Sequence, residues 1–371
     1  MSEPDAGPAS GGHVATSGTR TDAGPASGTG GTADAYAAAG VDIGASDRGV
    51  DALVGVLKTI ETGRPSASVL GGGHYAAVLK VTDELGIALS TDGVGSKLVV
   101  AERTGRLDTV GIDCVAMNVN DIVCVGAEPI ALLDYLAVEQ PDPAALEAIA
   151  RGLKAGAEAA GVEIPGGELA VIPELIRGHP SPHGFDLCAS CFGTVALDAI
   201  VTGDDIAPGD ALIGLPSSGL HSNGYTLARA VLEPLGDDAQ PEELGGATVA
   251  DVLLEPTVIY VRAVLELLRS EIPVNGLAHI TGGGLSNLRR LNAGVGWRVD
   301  APLPVLSVFE LIRRLGEVPD EEMYEVFNMG CGFIAVVPAA HAAAAVALLG
   351  AHHPGAAVIG GVTASPGAIE R

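Results

Sequence analysis

Basic residues are scarce in this chain. Its 371 residues hold 46 Asp and Glu against 20 Lys and Arg, a net charge of −26. The lysines are Lys58, Lys80, Lys97 and Lys154. No basic run occurs, so the electrostatic footprint of a nucleic-acid binder is missing. The same acidity opposes a bare polyphosphate, and a phosphate-bearing ligand would need metal ions or backbone donors to offset the field. Aromatic residues make up only 3%, which leaves the core to Ala, Val, Leu and Ile. No apolar run reaches the ~18 residues of a membrane span. Neither GxxxxGK[ST] nor GxGxxG is present, so the common nucleotide-binding glycine motifs do not apply. Cysteine is sparse and odd in number, five residues at 114, 124, 188, 191 and 331. In a chain this long that pattern predicts reduced thiols and a cytoplasmic setting.

What is present is apolar and rich in turns. The hydrophobic fraction is 47%, with 52 glycines, too apolar for a disordered chain. Residues 1–33 stand apart. They are Gly, Ala, Ser, Thr, Pro and Asp, with DAGPASG at 5–11 repeated at 22–28. They are expected to form a low-complexity tail, without the pattern of a secretory leader. Globular patterning follows. Helices are expected over 46–61 and 143–160, the latter ended by Gly161. Strands are expected over 86–90, 130–138, 185–197 and 211–216. Residues 109–125 are apolar and are read as strand-like, interrupted by Asp113, Asn118, Asn120 and Asp121. Gly, Asp and Pro cluster at 200–210, which predicts two domains, 34–203 and 204–371. Alternating strands and helices in both indicate an α/β or α+β fold.

Several groups are candidates for chemistry. Asp92, Asp113 and Asp121 lie in or beside apolar stretches, where a carboxylate is costly unless paired or metal-bound. Hard oxygen ligands of this kind suit Mg²⁺ and hence ATP phosphates, although strand-end Asp residues also cap turns. Gly71, Gly72, Gly73 and Gly93 would let backbone N–H groups face an anion, or simply form tight turns. Two loops, Ser217–Gly224 and Thr281–Gly284, each lead from a strand into an expected helix, an arrangement suited to phosphate. His221 and His279 lie in or beside them. Cys188 and Cys191 form a lone CxxC inside an apolar strand, which reads as buried structural cysteine.

Longer blocks carry a resemblance. YAAAGVDI (36–43), STDGVGSKL (90–98), DTVGIDCVAMNVNDIVCVGAEPIALLDYLA (108–137) and GGE (166–168) are followed by SSGLHSNGYTLAR (217–229), LLEPTVIYV (253–261), AHITGGG (278–284) and EMYEVFNMGCGF (322–333). From about Tyr36 to Ser365 the chain resembles the phosphoribosylformylglycinamidine cyclo-ligases, also called aminoimidazole ribonucleotide synthetases. That resemblance implies a two-domain fold, with an N-terminal mixed sheet that forms a β-barrel with a second copy and a C-terminal α/β domain. It implies an ATP- and Mg²⁺-using homodimer that closes the imidazole ring of formylglycinamidine ribonucleotide in purine synthesis. Carried over by position, Asp92, Lys97 and His221 are the catalytic candidates. Gly71, Gly72, Gly73, Asp92, Gly93, Lys97, Asn118 and Asp121 would bind ATP, and Asp92, Asp113, Asp121 and Glu168 would hold metal. Ser218, His221, Ser222, Asn223, Thr281, Gly282 and Gly283 would face the substrate. One block departs: GGELAVIPELI (166–176) stands where the family reads close to GGETAEMPGMY, with Leu169 and Val171 in place of a hydroxyl and a carboxylate. The alternatives are a kinase resembling thiamine-monophosphate kinase and a non-catalytic ATP-binding subunit.

Overall fold

The computed structural model describes residues 43–70 and 73–371. The expected tail over 1–33, and Gly71 and Gly72 of the glycine loop, lie outside them. Asp34–Arg371 make one compact unit. In chain order its elements begin with α1 (Ile43–Leu57), β1 (Ala77–Lys80), β2 (Leu85–Gly93), α2 (Lys97–Thr104), α3 (Val110–Cys124), β3 (Glu128–Val138), α4 (Pro143–Ala160), β4 (Glu163–Val171) and β5 (Phe185–Ala196). The remainder are β6 (Ala211–Pro216), α5 (Tyr225–Leu232), α6 (Val249–Leu254), α7 (Val261–Leu268), β7 (Gly276–His279), β8 (Gly296–Arg298), α8 (Ser307–Leu315), α9 (Asp320–Val326), β9 (Cys331–Val337), α10 (Ala342–His352), β10 (Ala357–Thr363) and β11 (Ile369–Glu370).

Two sheets result. The first runs β1-β2-β5-β3-β4 and the second β11-β8-β10-β6-β9-β7. Both mix parallel and antiparallel pairs. Strand β5 shows how the first is faced. Leu187, Ala189 and Cys191 are buried while Ser190 and Phe192 are exposed, the two-residue period of a sheet covered on one side. Cys188 and Cys191 accordingly face opposite sides. Cys191 is buried, but Cys188 is only half-buried, so the expectation of two buried cysteines holds for Cys191 alone.

Helix α3 corrects the strand-like reading of 109–125. Of its fifteen residues all but Ile112 and Asp121 are buried. It packs on β2 and β5 of the first sheet, on α4, and on β7 of the second sheet. A helix enclosed on every side has no polar face, so its 3.6-residue period disappears. Glycine lets α4 come close: a Cβ on Gly111 would lie 2.2 Å from the Leu153 backbone nitrogen, and one on Gly152 would lie 2.3 Å from the Asp108 carbonyl oxygen. Helix α4 itself is set by local signals. The Asp142 side chain accepts the Ala144 N–H, Pro143 opens the first turn, and Gly161 at φ 77° ends it, which is the expected cap chemistry.

Candidate active site

The buried polar residues of α3 fall into two groups. Asp113 and Asn120 grip the irregular segment 255–260 from the second half. Asp113 Oδ1 accepts the Thr257 amide at 2.8 Å and its hydroxyl at 2.6 Å. Asn120 Oδ1 accepts the Tyr260 amide at 2.9 Å, and its Nδ2 donates to the Val258 carbonyl at 2.9 Å. Lys97 meets Asp113 Oδ2 at 2.8 Å, with both side chains wholly buried. It also donates to the carbonyls of Glu255 at 2.6 Å and His221 at 3.2 Å. The ammonium thus has one ion-pair partner and two carbonyl acceptors, all from the protein. Burial pushes the Lys97 pKa down, and the neighbouring Asp113 opposes that shift. Two expectations are corrected here. Lys97 is not presented to a phosphate and Asp113 is not presented to a metal, because each would have to abandon a buried ion pair.

Asn118 and Asp121 form the second group. Asn118 Nδ2 donates to the Cys114 carbonyl at 2.9 Å and the Asp92 carbonyl at 3.1 Å. Both partners are acceptors, which fixes the amide orientation. Asn118 Oδ1 is then left buried with no hydrogen-bond partner. Asp92 closes β2, where its Oδ1 accepts the Gly93 N–H at 2.8 Å. Burial raises the Asp92 pKa and the nearby Asp121 charge adds to that, against the Gly93 hydrogen bond and the charge of Arg290. Asp121 keeps 15% of its side-chain surface exposed and meets His279 Nδ1 at 3.0 Å. The structure thus brings together Asp92, Asn118 and Asp121 of the predicted set.

This group suits a magnesium nucleotide. Among the described residues no three His, Cys, Asp or Glu side chains form a metal cluster by themselves. Mg²⁺ is commonly held by one or two carboxylates, with phosphates and water completing its shell. Two carboxylates beside an unpartnered carboxamide oxygen provide such a partial set. Glu168 does not join it. In register, Gly93, Cys188, Tyr135 and Glu168 form one row across the sheet, while Asp92, Ala189, Asp134 and Gly167 form the next. Adjacent rows face opposite sides, and Glu168 lies three strand spacings from β2, about 14 Å. Within one chain Glu168 is therefore not a ligand beside Asp92, a further correction.

The two predicted loops adjoin each other. A Cβ on Gly282 would lie 3.2 Å from Asn223 Oδ1, so the loops touch at these two residues. Asn287 shapes the second loop, donating to the carbonyls of Gly282 at 3.1 Å and Gly284 at 2.7 Å, and its Oδ1 accepts the Thr281 hydroxyl at 3.3 Å. Gly283 stands at φ 95°. The helix expected after this loop is a short 3-10 turn, Gly284–Arg290. In the first loop the Ser218 hydroxyl donates to the Pro256 carbonyl at 2.6 Å, and Ser222 Oγ lies 3.2 Å from Thr257 Oγ1. His221 has left-handed backbone, φ 61°. Its Nε2 accepts the Ser218 amide at 3.3 Å, and its buried Nδ1 has no partner. Burial, then His279 and Lys97, push its pKa well below the usual histidine value. His221 is a neutral group inside the loop and is only 1% exposed, which corrects its expected place as an accessible catalytic side chain.

Some contributors were missed in the sequence. Thr257 and Tyr260 lie inside the quoted block LLEPTVIYV, yet neither carries a charge that would draw attention. Tyr75 donates from its hydroxyl to the Asn287 carbonyl at 3.2 Å, under the Arg290 guanidinium at 5.3 Å from the ring centre. Asp134 shares a row and a face with Asp92, and burial raises its pKa. Counting alternate residues along β3 would have placed it there. A cavity of about 560 Å³, lined by Leu107, Asp142, Ile149 and Phe185 among others, has none of these site residues in its lining.

Known proteins identify the family of the chain. Residues 73–195 fit the family model "AIR synthase related protein, N-terminal domain", and 207–370 fit its C-terminal counterpart. The chain is therefore an AIR synthase related protein. A phosphoribosylformylglycinamidine cyclo-ligase of Methanothermobacter thermautotrophicus is 48% identical, over 85% of this chain and 91% of its own. One of Thermococcus gammatolerans is also 48% identical, over 90% and 96%. The chain belongs to the phosphoribosylformylglycinamidine cyclo-ligase family, a family of ligases, and the kinase alternative is not favoured. A solved structure of hydrogenase maturation protein HypE in complex with ATP shares the fold, with a TM-score of 0.55 at 24% identity, covering 78% of this chain and 79% of that one. No helix among the described residues is long and apolar enough to cross a membrane.

Proposed function

We propose that this chain closes the imidazole ring of formylglycinamidine ribonucleotide at the expense of ATP, in purine synthesis. The formyl oxygen takes the terminal phosphoryl group of ATP, releasing ADP. The amidine nitrogen then attacks the formyl carbon, and the oxygen departs as phosphate. The observation that carries this reading is the meeting of Asp92, Asp121 and the unpartnered Asn118 oxygen near two adjoining substrate-type loops, in a chain of this family.

Asp92 and Asp121, with Asn118 Oδ1, would hold Mg²⁺. The ion would offset charge on the transferring phosphoryl group. The chain's own residues do the positioning. Gly93 fixes the Asp92 carboxylate with its N–H, which is therefore not free for the expected anion, and Gly73 offers backbone near the phosphates. Ser222, Asn223, Thr281, Gly282 and Gly283 face the ribonucleotide, whose phosphate the 281–284 loop can meet with backbone N–H groups. Ser218, His221, Lys97 and Asp113 hold the first loop and segment 255–260 in place.

A second copy of the chain completes the assembly in this reading. The uncovered side of the first sheet presents Leu89, Leu133, Tyr135 and Phe192, with Leu133 54% exposed. An apolar sheet face of this kind is suited to burial in an interface. The homodimer would work in the cytoplasm, where its five free thiols would stay reduced.

Phosphate release is the test. With formylglycinamidine ribonucleotide and Mg²⁺ the purified protein should convert ATP to ADP and phosphate and form aminoimidazole ribonucleotide in equal amounts. Equal release with thiamine monophosphate in place of that substrate would sink the proposal.

A further inference from the structure

His279 ends β7 and reaches from the second sheet to α3. Its ring is wholly buried. Nδ1 lies 3.0 Å from Asp121 Oδ1, and Nε2 lies 3.4 Å from Asn120 Nδ2. A neutral imidazole has one donor and one acceptor nitrogen. Which is which depends on the partners, and here the partners decide it.

Asn120 has no freedom to flip. Its Oδ1 accepts a backbone N–H, that of Tyr260, and its Nδ2 donates to a backbone carbonyl, that of Val258. Neither backbone group can exchange roles. The second Nδ2 proton is therefore the one facing His279 Nε2, which must be the acceptor. The ring proton then sits on Nδ1 and is directed at the Asp121 carboxylate. A chain of donors runs one way, from Asn120 to His279 to Asp121, with its polarity set by segment 258–260.

We infer that His279 is a positioning residue for Asp121: its Nδ1–H holds one carboxylate oxygen and so sets the direction in which the other is offered to Mg·ATP. This rests on the reading of Asp121 as part of the Mg·ATP site. Residues that orient a metal-binding group through a hydrogen bond typically change affinity or activity by about 10–100-fold when removed. The inference also explains why a histidine is buried among apolar neighbours such as Phe333, whose ring centre lies 6.4 Å away.

Amide side chains separate the two ring nitrogens. The Asn amide nitrogen takes the place of Nδ1, whereas the Gln amide nitrogen takes the place of Nε2. His279→Asn keeps the donor to Asp121, and His279→Gln turns a donor toward the Asn120 N–H instead. Mg·ATP affinity, measured by calorimetry on the full chain, should stay within about threefold of wild type for Asn and weaken about 10–100-fold for Gln and Ala. Unfolding midpoints measured alongside separate lost affinity from lost fold. Independently, a long-range ¹H–¹⁵N spectrum of ¹⁵N-histidine wild-type protein, assigned through the contact with Phe333, should show His279 protonated on Nδ1. A proton on Nε2 overturns the inference, as does Gln binding like wild type while folded Asn binds like Ala. If wild-type protein fails to bind Mg·ATP, the functional reading falls, and the spectrum still decides the proton's place.

Discussion

The two polar groups on α3 use the same residue types for different ends. Asp113 and Asn120 are engaged by the protein, through an ion pair with Lys97 and hydrogen bonds with Thr257, Tyr260 and Val258. Asp121 and Asn118 do not. Asp121 is partly exposed, and Asn118 has a buried oxygen that nothing satisfies. A buried polar atom left without a partner costs roughly 1–3 kcal/mol. Within nine residues of one helix, the fold holds one Asp/Asn pair in a clasp and leaves the other incomplete, the pair proposed to meet Mg·ATP. The contacts each pair makes, not residue type or burial, distinguish them.

Three experiments can break or sharpen that contrast. The largest effect is expected at the clasp. Lys97→Ala leaves Asp113 buried without its cation and should destabilise the chain by about 3–5 kcal/mol, seen as a lower denaturant midpoint. Replacing both partners, Lys97→Met with Asp113→Asn, removes both charges and keeps an acceptor for Thr257, and should recover part of the loss. If Lys97→Ala unfolds like wild type, the clasp assignment is wrong. Next comes the binding group. Asp92→Asn should reduce ATP-dependent turnover by about 100-fold or more while the midpoint holds, because it removes charge and keeps shape. Near-normal turnover would remove Asp92 from the site. The smallest effect on catalytic chemistry, though visible in assembly, is expected from Leu133→Asp on the uncovered sheet face. Sedimentation should show a dimer turned to monomer; a wild-type protein already monomeric at micromolar concentration would end the pairing proposal.

The first sheet was legible because one covered face imposes alternation on β2 and β5. Helix α4 was legible because Asp142, Pro143 and Gly161 mark its ends. Helix α3 was not, since burial on all sides erases the period that identifies a helix. The site was read in part. Asp92, Asn118 and Asp121 lie together, whereas Lys97, carried over by position as a phosphate partner, is buried in the clasp. Its neutralising partners come from positions 113, 221 and 255, contacts that no local pattern reveals. Glu168 failed for a related reason. Its side of the sheet depends on strand register, and register between β3 and β4 is set across a whole helix of intervening chain.

The clasp has a consequence for motion. Helix α3 is packed into the first sheet, yet it is tied through Thr257, Tyr260 and His279 to the second. A hinge between the two sheets would have to break, at each swing, the buried hydrogen bonds that Lys97, Asp113 and Asn120 make to the backbone of residues 221 and 255–260. The fold therefore resists opening between its two sheets.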